Sequence, residues 1–284
     1  MYGTVEIGGT KTDVAVGTSP SDLSEPHRIE TGAPDVTLSA VATYLHDHDL
    51  DAIGIASFGP LDVNPASVRY GEMQATPKPG WSGVDVLGGI TAGRSTPTVI
   101  DTDVNGAALG EGRWGAALGM SNFVYVTVGT GIGAGIVVGG RLVGGKRHPE
   151  AGHIVVRPED GDEFEGTCPY HGDCLEGMTA GPALEARFGR PGTWAGNQAV
   201  LDLATGYVAQ LVRDLVYTVA PERIIVGGGV SKLPGFHDRL REVAPSLLGD
   251  YPVETDPGLL VSPPGLGDLS GLAGGLAMAE RAIG

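Results

Sequence analysis

The chain has 284 residues, the size of about two average domains, and is long enough to bury a large hydrophobic core. Its 18 Lys and Arg residues are outnumbered by 34 Asp and Glu residues, which gives a formal net charge of -16. This charge opposes the phosphates of nucleic acids and of anionic membranes, so we expect neither as a partner. Glycine is abundant at 48 residues, but apolar runs bounded by glycines at 52–58, 123–128 and 223–226 predict buried strands of a folded α/β protein.

The start of the chain gives no sign of export. Residues 1–9 lack the basic and apolar regions of a signal peptide, and no run of about 18 apolar residues occurs anywhere. The sequence therefore predicts a cytoplasmic protein. In a reducing compartment a close cysteine pair that flanks a histidine, as Cys168 and Cys174 do, favours metal binding over a disulfide.

Two similar strand pairs are predicted along the chain. Residues 2–7 and 12–16 form the first pair, and residues 123–128 and 135–138 form the second. Each pair is joined by a glycine-rich loop with a threonine. The two loops consist of Gly8, Gly9, Thr10 and Lys11, and of Gly129, Thr130, Gly131, Ile132 and Gly133. This weak repeat predicts two related lobes, each holding one end of a phosphate chain.

The elements around these pairs alternate between helix and strand, which predicts an α/β sheet. A helix at 36–45, strands at 52–58 and 98–101 and a helix from 104 to about 115 are predicted before the second pair. An irregular stretch at 139–177 is predicted after it. The predicted elements that follow are helices at 178–188, 198–219, 234–248 and 270–283 and a strand at 223–226.

The predicted domain organisation is two lobes. We expect a small lobe at 1–112, a large lobe at 113–263 and a C-terminal helix at 264–284 that returns to the small lobe. No Ser- or Gly-rich linker separates the lobes, so we expect a hinge of ordered elements.

Three glycine-rich segments suit a nucleotide. The two Gly-Thr loops expose backbone N–H groups and a hydroxyl, which bind anionic oxygens, and Gly227, Gly228 and Gly229 allow a third close approach. Taken alone, each loop could also be a simple hairpin turn. Neither loop fits the Walker pattern, and no strand-G-x-G-x-x-G-helix unit supports a dinucleotide site.

Asp103 is the candidate general base. It follows the predicted strand at 98–101 and opens a helix, where it could accept the proton of a substrate hydroxyl that attacks a γ-phosphoryl group. The alternative is that Asp103 is only the N-cap of that helix. One residue could also serve both purposes.

A possible structural zinc site lies in the irregular stretch. Its four candidate ligands are His153, Cys168, His171 and Cys174, a Cys2His2 set that leaves no open position for catalysis. The alternative is two buried thiols and two surface histidines. Glu150 and Glu176 lie next to this set in sequence, so they are either solvated charges or acceptors for sugar hydroxyls, and His153 could bind both zinc and a hydroxyl.

These features together resemble the ROK family of sugar kinases along nearly the whole chain. The segments that carry the resemblance are 6–11, 58–60, 76–81, 101–105, 129–133, 148–153, 168–176 and 227–229. The resemblance implies a two-lobed, actin-like (ribonuclease-H-like) ATPase fold with a cleft between the lobes, ATP as phosphoryl donor, magnesium, and a homodimer. ROK repressors carry a DNA-binding domain ahead of the first loop, but only seven residues precede Gly8 here, so we expect no repressor.

The resemblance also assigns roles and a branch of the family. Glu6, Thr102 and the Cys168–His171 spacing depart from the glucokinase-like pattern towards bacterial fructokinases, and Glu6 replaces an Asp implied to contact magnesium. Asp103 is implied as the base, and the zinc set above as the metal ligands. The residues implied to bind sugar are Thr102, Asp103, Glu150, His153 and Glu176. Those implied to bind nucleotide are Gly8, Gly9, Thr10, Lys11, Gly129, Thr130, Gly131, Gly227 and Gly228.

The predicted function is ATP-dependent phosphorylation of a hexose, with D-fructose as the expected substrate. One alternative is a mannokinase or glucokinase of broader specificity. A second alternative, from another class, is a catalytically silent sugar-sensing protein, which Asp103 and the two loops argue against.

Overall fold

The computed structural model describes residues 1–145, 147–249, 251 and 260–284. The strands are β1 (Tyr2–Ile7), β2 (Lys11–Gly17), β3 (His27–Glu30), β4 (Ala52–Ser57), β5 (Thr98–Thr102), β6 (Phe123–Val128), β7 (Ile132–Val138), β8 (Arg141–Leu142), β9 (Arg223–Gly227) and β10 (Val261–Ser262). The helices are α1 (Pro34–His46), α2 (Val86–Thr91), α3 (Asp103–Trp114), α4 (Leu175–Thr179), α5 (Gly181–Phe188), α6 (Gln198–Val219), α7 (Phe236–Leu248) and α8 (Ser270–Ile283).

The chain forms two compact units. Unit 1 comprises Met1–Gly119, Val143–His148 and Gly265–Gly284, and unit 2 comprises Met120–Leu142 and Pro149–Pro264. Each unit holds one five-stranded sheet, in the order β3-β2-β1-β4-β5 or β10-β9-β6-β7-β8. In each sheet the unit's first strand pairs antiparallel with its second and parallel with its fourth. The two units therefore have the same sheet topology, and the strand pairs predicted as a repeat are the first two strands of each sheet in chain order.

The interior of unit 1 depends on close backbone packing of α8. A Cβ at Gly274 would lie 1.9 Å from the Gly106 carbonyl oxygen on α3, and a Cβ at Gly54 would lie 1.9 Å from the Gly275 carbonyl oxygen. The Thr4 hydroxyl of β1 donates to the Leu272 carbonyl at 2.6 Å. The small residues of α8 are therefore required by its packing, since larger residues at these positions would force the backbones apart.

A buried carboxylate fastens the segment that leads into α8. Glu111 on α3 is fully buried and accepts hydrogen bonds from the N–H groups of Ala116, Gly265 and Leu266 and from the Ser270 hydroxyl, at 2.6–3.1 Å. Four donors offset the cost of burying this group.

One helix predicted in unit 2 is wrong as a single helix. Residues 178–188 were expected to be continuous, but the structure has α4 and α5, with Ala180 between them in an extended conformation (ψ 168°). Pro182 explains the break, because it has no N–H to donate to the carbonyl of Met178 in a continuous helix. The start of α4 at Leu175 also shortens the predicted irregular stretch.

Within the described part of the chain, the sequence patterns missed the short strands β3, β8 and β10 and the short helix α2. Strand β3 reads His-Arg-Ile-Glu, is largely exposed at a sheet edge and shows one apolar side chain, so periodicity cannot distinguish it from a loop. Strands β8 and β10 have two residues each. Among the described residues, no helix is both long and apolar enough to cross a membrane.

Candidate active site

The first Gly-Thr loop is the tight turn between β1 and β2. The Gly8 N–H donates to the Lys11 carbonyl at 2.8 Å, and the Thr10 carbonyl accepts from the Thr31 N–H at 3.1 Å. A Cβ at Gly9 would meet no atom of the described residues within 4 Å, and the φ of Gly9 lies outside the left-handed region. The fold itself therefore does not require glycine at position 9, whereas a ligand close to the backbone would.

Charged side chains surround this loop. Lys11, expected to contact phosphate, lies with its Nζ 3.0 Å from Asp13, and Arg28 binds the same carboxylate through two nitrogens at 2.7 and 3.0 Å. Burial acts against ionisation, but the hydrogen bonds from Arg28 and Lys11 outweigh it and lower the pKa of Asp13. Arg28 was not predicted, because β3 was not.

Glu6 faces Asp13 directly across the β1–β2 pair. Burial raises the pKa of Glu6 to about 7; the charge of Lys11 opposes this shift, and the negative charges of Asp103, Asp13 and Asp268 add to it. Glu6 therefore changes its charge close to neutral pH, which an ordinary glutamate does not.

The start of α3 separates the two readings of Asp103. Thr102 is the N-cap, since its hydroxyl accepts from the Asn105 N–H at 3.3 Å, and Asp103 is the first helical residue, with Oδ1 accepting from the Val104 N–H at 2.8 Å. The alternative in which Asp103 is the N-cap is therefore wrong. Thr102 is only 2% exposed, so almost none of its surface is accessible to a sugar, contrary to the contact that the resemblance implies.

Asp101 supports the same helix start. Its Oδ1 accepts from the Asn105 side-chain amide and from the Thr102 N–H, both at 2.7 Å. Burial raises the pKa of Asp101, although these hydrogen bonds and His148 act in the opposite direction. These contacts hold the turn that presents Asp103.

The second Gly-Thr loop joins β6 to β7 in unit 2. Its Gly129 carbonyl accepts from the Gly181 N–H at 2.7 Å, and its Ile132 N–H donates to Oε2 of Glu176 at 2.9 Å. Thr130 is exposed, as Thr10 is in the first loop. A Cβ at Gly131 would lie 2.7 Å from the Glu176 carboxylate, so packing explains that glycine.

The triple glycine after β9 is explained in part by packing. A Cβ at Gly227 would lie 2.3 Å from the Tyr125 hydroxyl, and Gly228 has φ 91° with Val128 backbone atoms 2.5–2.7 Å from its Cβ position. The fold alone requires glycine at both positions, so these two glycines are weaker evidence for a nucleotide site than the sequence suggested. Among the residues that the structure describes, no atom lies within 4 Å of a Cβ at Gly229, and a Cβ at Gly129 would lie 3.7 Å from the Gly229 nitrogen. The two segments thus lie side by side in unit 2.

The predicted zinc ligands form one cluster. One ligand atom from each of His153, Cys168, His171 and Cys174 lies within 4.8 Å of the others. The Nδ1 of His153 is 3.8 Å from the Cys168 sulfur and 3.5 Å from the Cys174 sulfur, and the Nδ1 of His171 is 3.8 Å from the Cys168 sulfur. A tetrahedral zinc ion would place nitrogen and sulfur ligands about 3.6 Å apart, so the cluster fits this metal.

A short hairpin builds this cluster. The N–H groups of Cys168 and Gly172 donate to each other's carbonyls at 3.2 and 2.9 Å, and Gly172 has φ 65°, which turns the chain between the two cysteines. Of the two expected sugar-binding carboxylates, Glu176 lies two residues beyond Cys174 and already accepts from the Ile132 N–H, and Glu150 is exposed. The Glu150 carbonyl accepts from the His153 N–H at 3.0 Å.

Comparison with known proteins identifies the family. Residues 2–282 match the ROK family. The chain belongs to the ROK family. This ROK protein is 40% identical to a fructokinase from Pediococcus pentosaceus, over 100% of its own length and 99% of the relative's. It is 37% identical to a fructokinase from Zymomonas mobilis subsp. mobilis, over 99% and 97% of the two chains.

A solved structure has the same fold as this ROK protein. It is the ROK family glucokinase from Streptomyces griseus in complex with glucose and AMPPNP, which matches with a TM-score of 0.78 and 25% identity over 98% of both chains. The predicted α/β, actin-like ATPase fold is confirmed by this match and by the two sheets of equal topology.

The burial of Glu6 predicts a pH-dependent stability. The pKa of about 7 in the folded protein lies above the usual glutamate value of 4.5, so the native state binds more protons than the unfolded state between these values. The contribution of Glu6 to stability is fully present below pH 4.5 and is lost as the pH rises through 7, by about 3 kcal/mol in total. We expect Glu6→Gln to be more stable than the wild type at pH 8 and equally stable near pH 4.5.

The measurement is urea unfolding at several pH values without magnesium or nucleotide. Glu30→Gln is the control, because Glu30 is an exposed glutamate on β3 of the same sheet. A stability difference between Glu6→Gln and the wild type that does not change with pH would contradict the shifted ionisation of Glu6.

Proposed function

We propose that this chain is a fructokinase, which transfers the γ-phosphoryl group of ATP to D-fructose and releases ADP and fructose 6-phosphate. The observation that carries this conclusion is the full-length identity of about 40% to fructokinases, compared with 25% to the S. griseus glucokinase. The residue roles below rest on the ROK resemblance and on the local geometry of each unit.

The two Gly-Thr loops bind the phosphates of ATP in this proposal. Gly9 and Gly129 leave room for an approaching ligand, and Thr10 and Thr130 expose hydroxyls beside them. Magnesium bound with ATP neutralises charge on the phosphates. Magnesium prefers oxygen ligands. The carboxylate of Glu6 interacts electrostatically with those of Asp13, Asp103 and Asp268, and this group of carboxylates fits such a cation.

Asp103 is the general base. Its carboxylate takes the proton of the fructose 6-hydroxyl while that oxygen bonds to the γ-phosphorus and the bond to the β-phosphate oxygen of ADP breaks. The hydrogen bond from the Val104 N–H and the buried turn at 101–105 hold this carboxylate at the end of β5. Positioning and charge stabilisation account for most of the rate enhancement in reactions of this type.

Glu150, His153 and Glu176 bind the sugar in this proposal. His153 directs Nδ1 towards the two thiols, which leaves its Nε2 for a sugar hydroxyl. The bond from Ile132 to Glu176 links a sugar-binding carboxylate to the second phosphate loop within unit 2. We leave Thr102 out of the sugar site because its hydroxyl caps α3.

A structural zinc ion joins this assignment. It would be held by His153, Cys168, His171 and Cys174, and would fix the hairpin that leads into α4, where Glu176 lies. From the resemblance alone we also propose a cytoplasmic homodimer, which sedimentation velocity tests.

The sugar preference is tested by a coupled ADP-release assay with a panel of hexoses at saturating ATP. We expect kcat/KM for fructose to exceed that for mannose and glucose by about 10- to 200-fold, the range for sites that differ mainly in the room they offer. Equal or higher kcat/KM for glucose would assign the chain to a broader hexokinase. ATP turnover that does not depend on any sugar, or no turnover at all, would instead favour the sugar-sensing alternative.

A further inference from the structure

Lys78 holds the backbone of the first Gly-Thr loop. Its ammonium group donates to the Gly9 carbonyl at 2.7 Å and to the Thr31 carbonyl at 2.9 Å. Thr31 in turn donates its N–H to the Thr10 carbonyl at 3.1 Å. Lys78 therefore fixes the Gly9 carbonyl directly, and Thr31, which Lys78 also binds, fixes the Thr10 carbonyl.

The Lys78 side chain starts from a rigid segment. Pro77 and Pro79 flank it, and the proline that follows restricts Lys78 to extended backbone conformations. Three residues later the fully buried Trp81 donates its indole N–H to the Gly32 carbonyl at 3.0 Å. The same segment thus binds residues 31–32 at two points, which lowers the entropy that Lys78 loses when it makes its contacts.

The contact with Gly9 sets the direction of the next N–H group. In a planar trans peptide the carbonyl and the N–H point in opposite directions. Because the Gly9 carbonyl points to Lys78, the Thr10 N–H points away from it. Within the described part of the chain this N–H donates to no acceptor, and the Cβ position of Gly9 beside it is open.

We propose that Lys78 is a positioning residue for the phosphates of ATP: it fixes the Gly9–Thr10 peptide so that the Thr10 N–H donates to a phosphate oxygen of ATP. This inference rests on the assignment of the loop to ATP in the proposed function. It adds to that assignment a residue 67 positions further along the chain from Lys11 that acts on the loop without contact to the substrate. Loss of the Lys78 ammonium group frees the Gly9–Thr10 peptide to rotate and removes the Thr10 N–H as a donor to the phosphates.

The other role open to Lys78 is that of a structural clamp. Arg94 offers a matched control, because it is also a half-buried cation in unit 1 and also holds two backbone carbonyls, those of Leu45 and His48. Leu45 lies at the end of α1 and His48 just beyond it, so the carbonyls that Arg94 binds are distant in sequence from both Gly-Thr loops. A clamp alone would make Lys78→Met and Arg94→Met behave alike.

The test measures three quantities for each variant: the thermal midpoint, the Kd for ADP with magnesium by calorimetry, and KM for ATP and for fructose. For Lys78→Met we expect KM for ATP to rise about 10-fold or more and kcat/KM for ATP to fall about 100-fold, as misplaced binding groups cause. KM for fructose should stay within about twofold of the wild type, since the substitution removes no contact with the sugar. Lys78→Arg keeps a charge and several donors, so it should restore most of the ATP affinity.

Gly9→Val distinguishes failure of this inference from failure of the loop assignment. The Cβ position of Gly9 is open in the folded chain, and a side chain there would stand where ATP is proposed to bind, so the thermal midpoint should stay and the Kd for ADP should rise. If Gly9→Val leaves the Kd unchanged, the loop does not bind the nucleotide. If Gly9→Val weakens ADP binding but Lys78→Met changes only the thermal midpoint, as Arg94→Met does, the role of Lys78 is structural and the inference is overturned.

Discussion

Asp103→Asn lowers kcat by about 10²- to 10⁴-fold and leaves the thermal midpoint of unfolding close to that of the wild type. An amide cannot take the proton of the 6-hydroxyl, but its oxygen can still accept from the Val104 N–H, as Oδ1 of Asp103 does at 2.8 Å. Thr102, which is unchanged in the variant, continues to cap α3. Steady-state kinetics with fructose and ATP, together with thermal unfolding, check both expectations.

Asp35→Asn is the matched control. Asp35 is likewise an aspartate in the first turn of a helix of unit 1, but it is exposed and lies on α1. Both substitutions remove a negative charge from a helix N-terminus, which costs about 0.3–1 kcal/mol. Only Asp103→Asn should lose activity. If Asp103→Asn keeps more than about a tenth of the wild-type kcat, another group accepts the proton.

The sequence predicted the parts of the fold that local patterns determine. Strands β4, β6 and β9 are apolar runs with glycines at or just after their ends, and β1 and β2 flank a glycine-rich turn; both features are visible without tertiary information. Strand β3 has neither feature, because it is polar and lies at a sheet edge, where only its pairing with β2 defines it. The break at Ala180 depends on Pro182, a local signal that the apolar spacing of residues 178–188 concealed.

The site divides in a similar way. Spacing predicted that His153, Cys168, His171 and Cys174 form one cluster, and the structure brings them together, because a short hairpin with local sequence signals builds the cluster. Spacing could not show that Thr102 is turned inwards as the cap or that Gly227 and Gly228 are required by Tyr125 and Val128. Those facts depend on what packs against each residue. The Lys78 contacts belong to the same class, since backbone carbonyls distant in sequence accept them.

Removal of zinc should strongly destabilise the protein. We expect one zinc ion per chain, and we expect a chelator to lower the thermal midpoint by about 10 °C or more, because zinc-binding energy at a structural site is folding energy. The reason lies in residues 147–174, which hold one short 3-10 turn and the Cys168–Gly172 hairpin but no α-helix, so few backbone bonds hold this segment in place. Elemental analysis of protein purified without a metal-affinity step gives the stoichiometry, and thermal unfolding gives the loss.

Two variants make the zinc prediction specific. Cys174→Ser removes one thiolate and should lose both the metal and the stability, since a hydroxyl is a poor ligand for zinc. Asp173→Asn changes the exposed neighbour of that cysteine, outside the ligand set, and should keep the full complement of zinc. Added zinc should restore the thermal midpoint of the chelated wild type, and added magnesium should not, because thiolate and imidazole ligands do not suit magnesium. A wild-type protein that contains almost no zinc, or that keeps its thermal midpoint after complete chelation, would show that the cluster is held by its own packing; in that case His153 and Glu176 would be positioned without a metal.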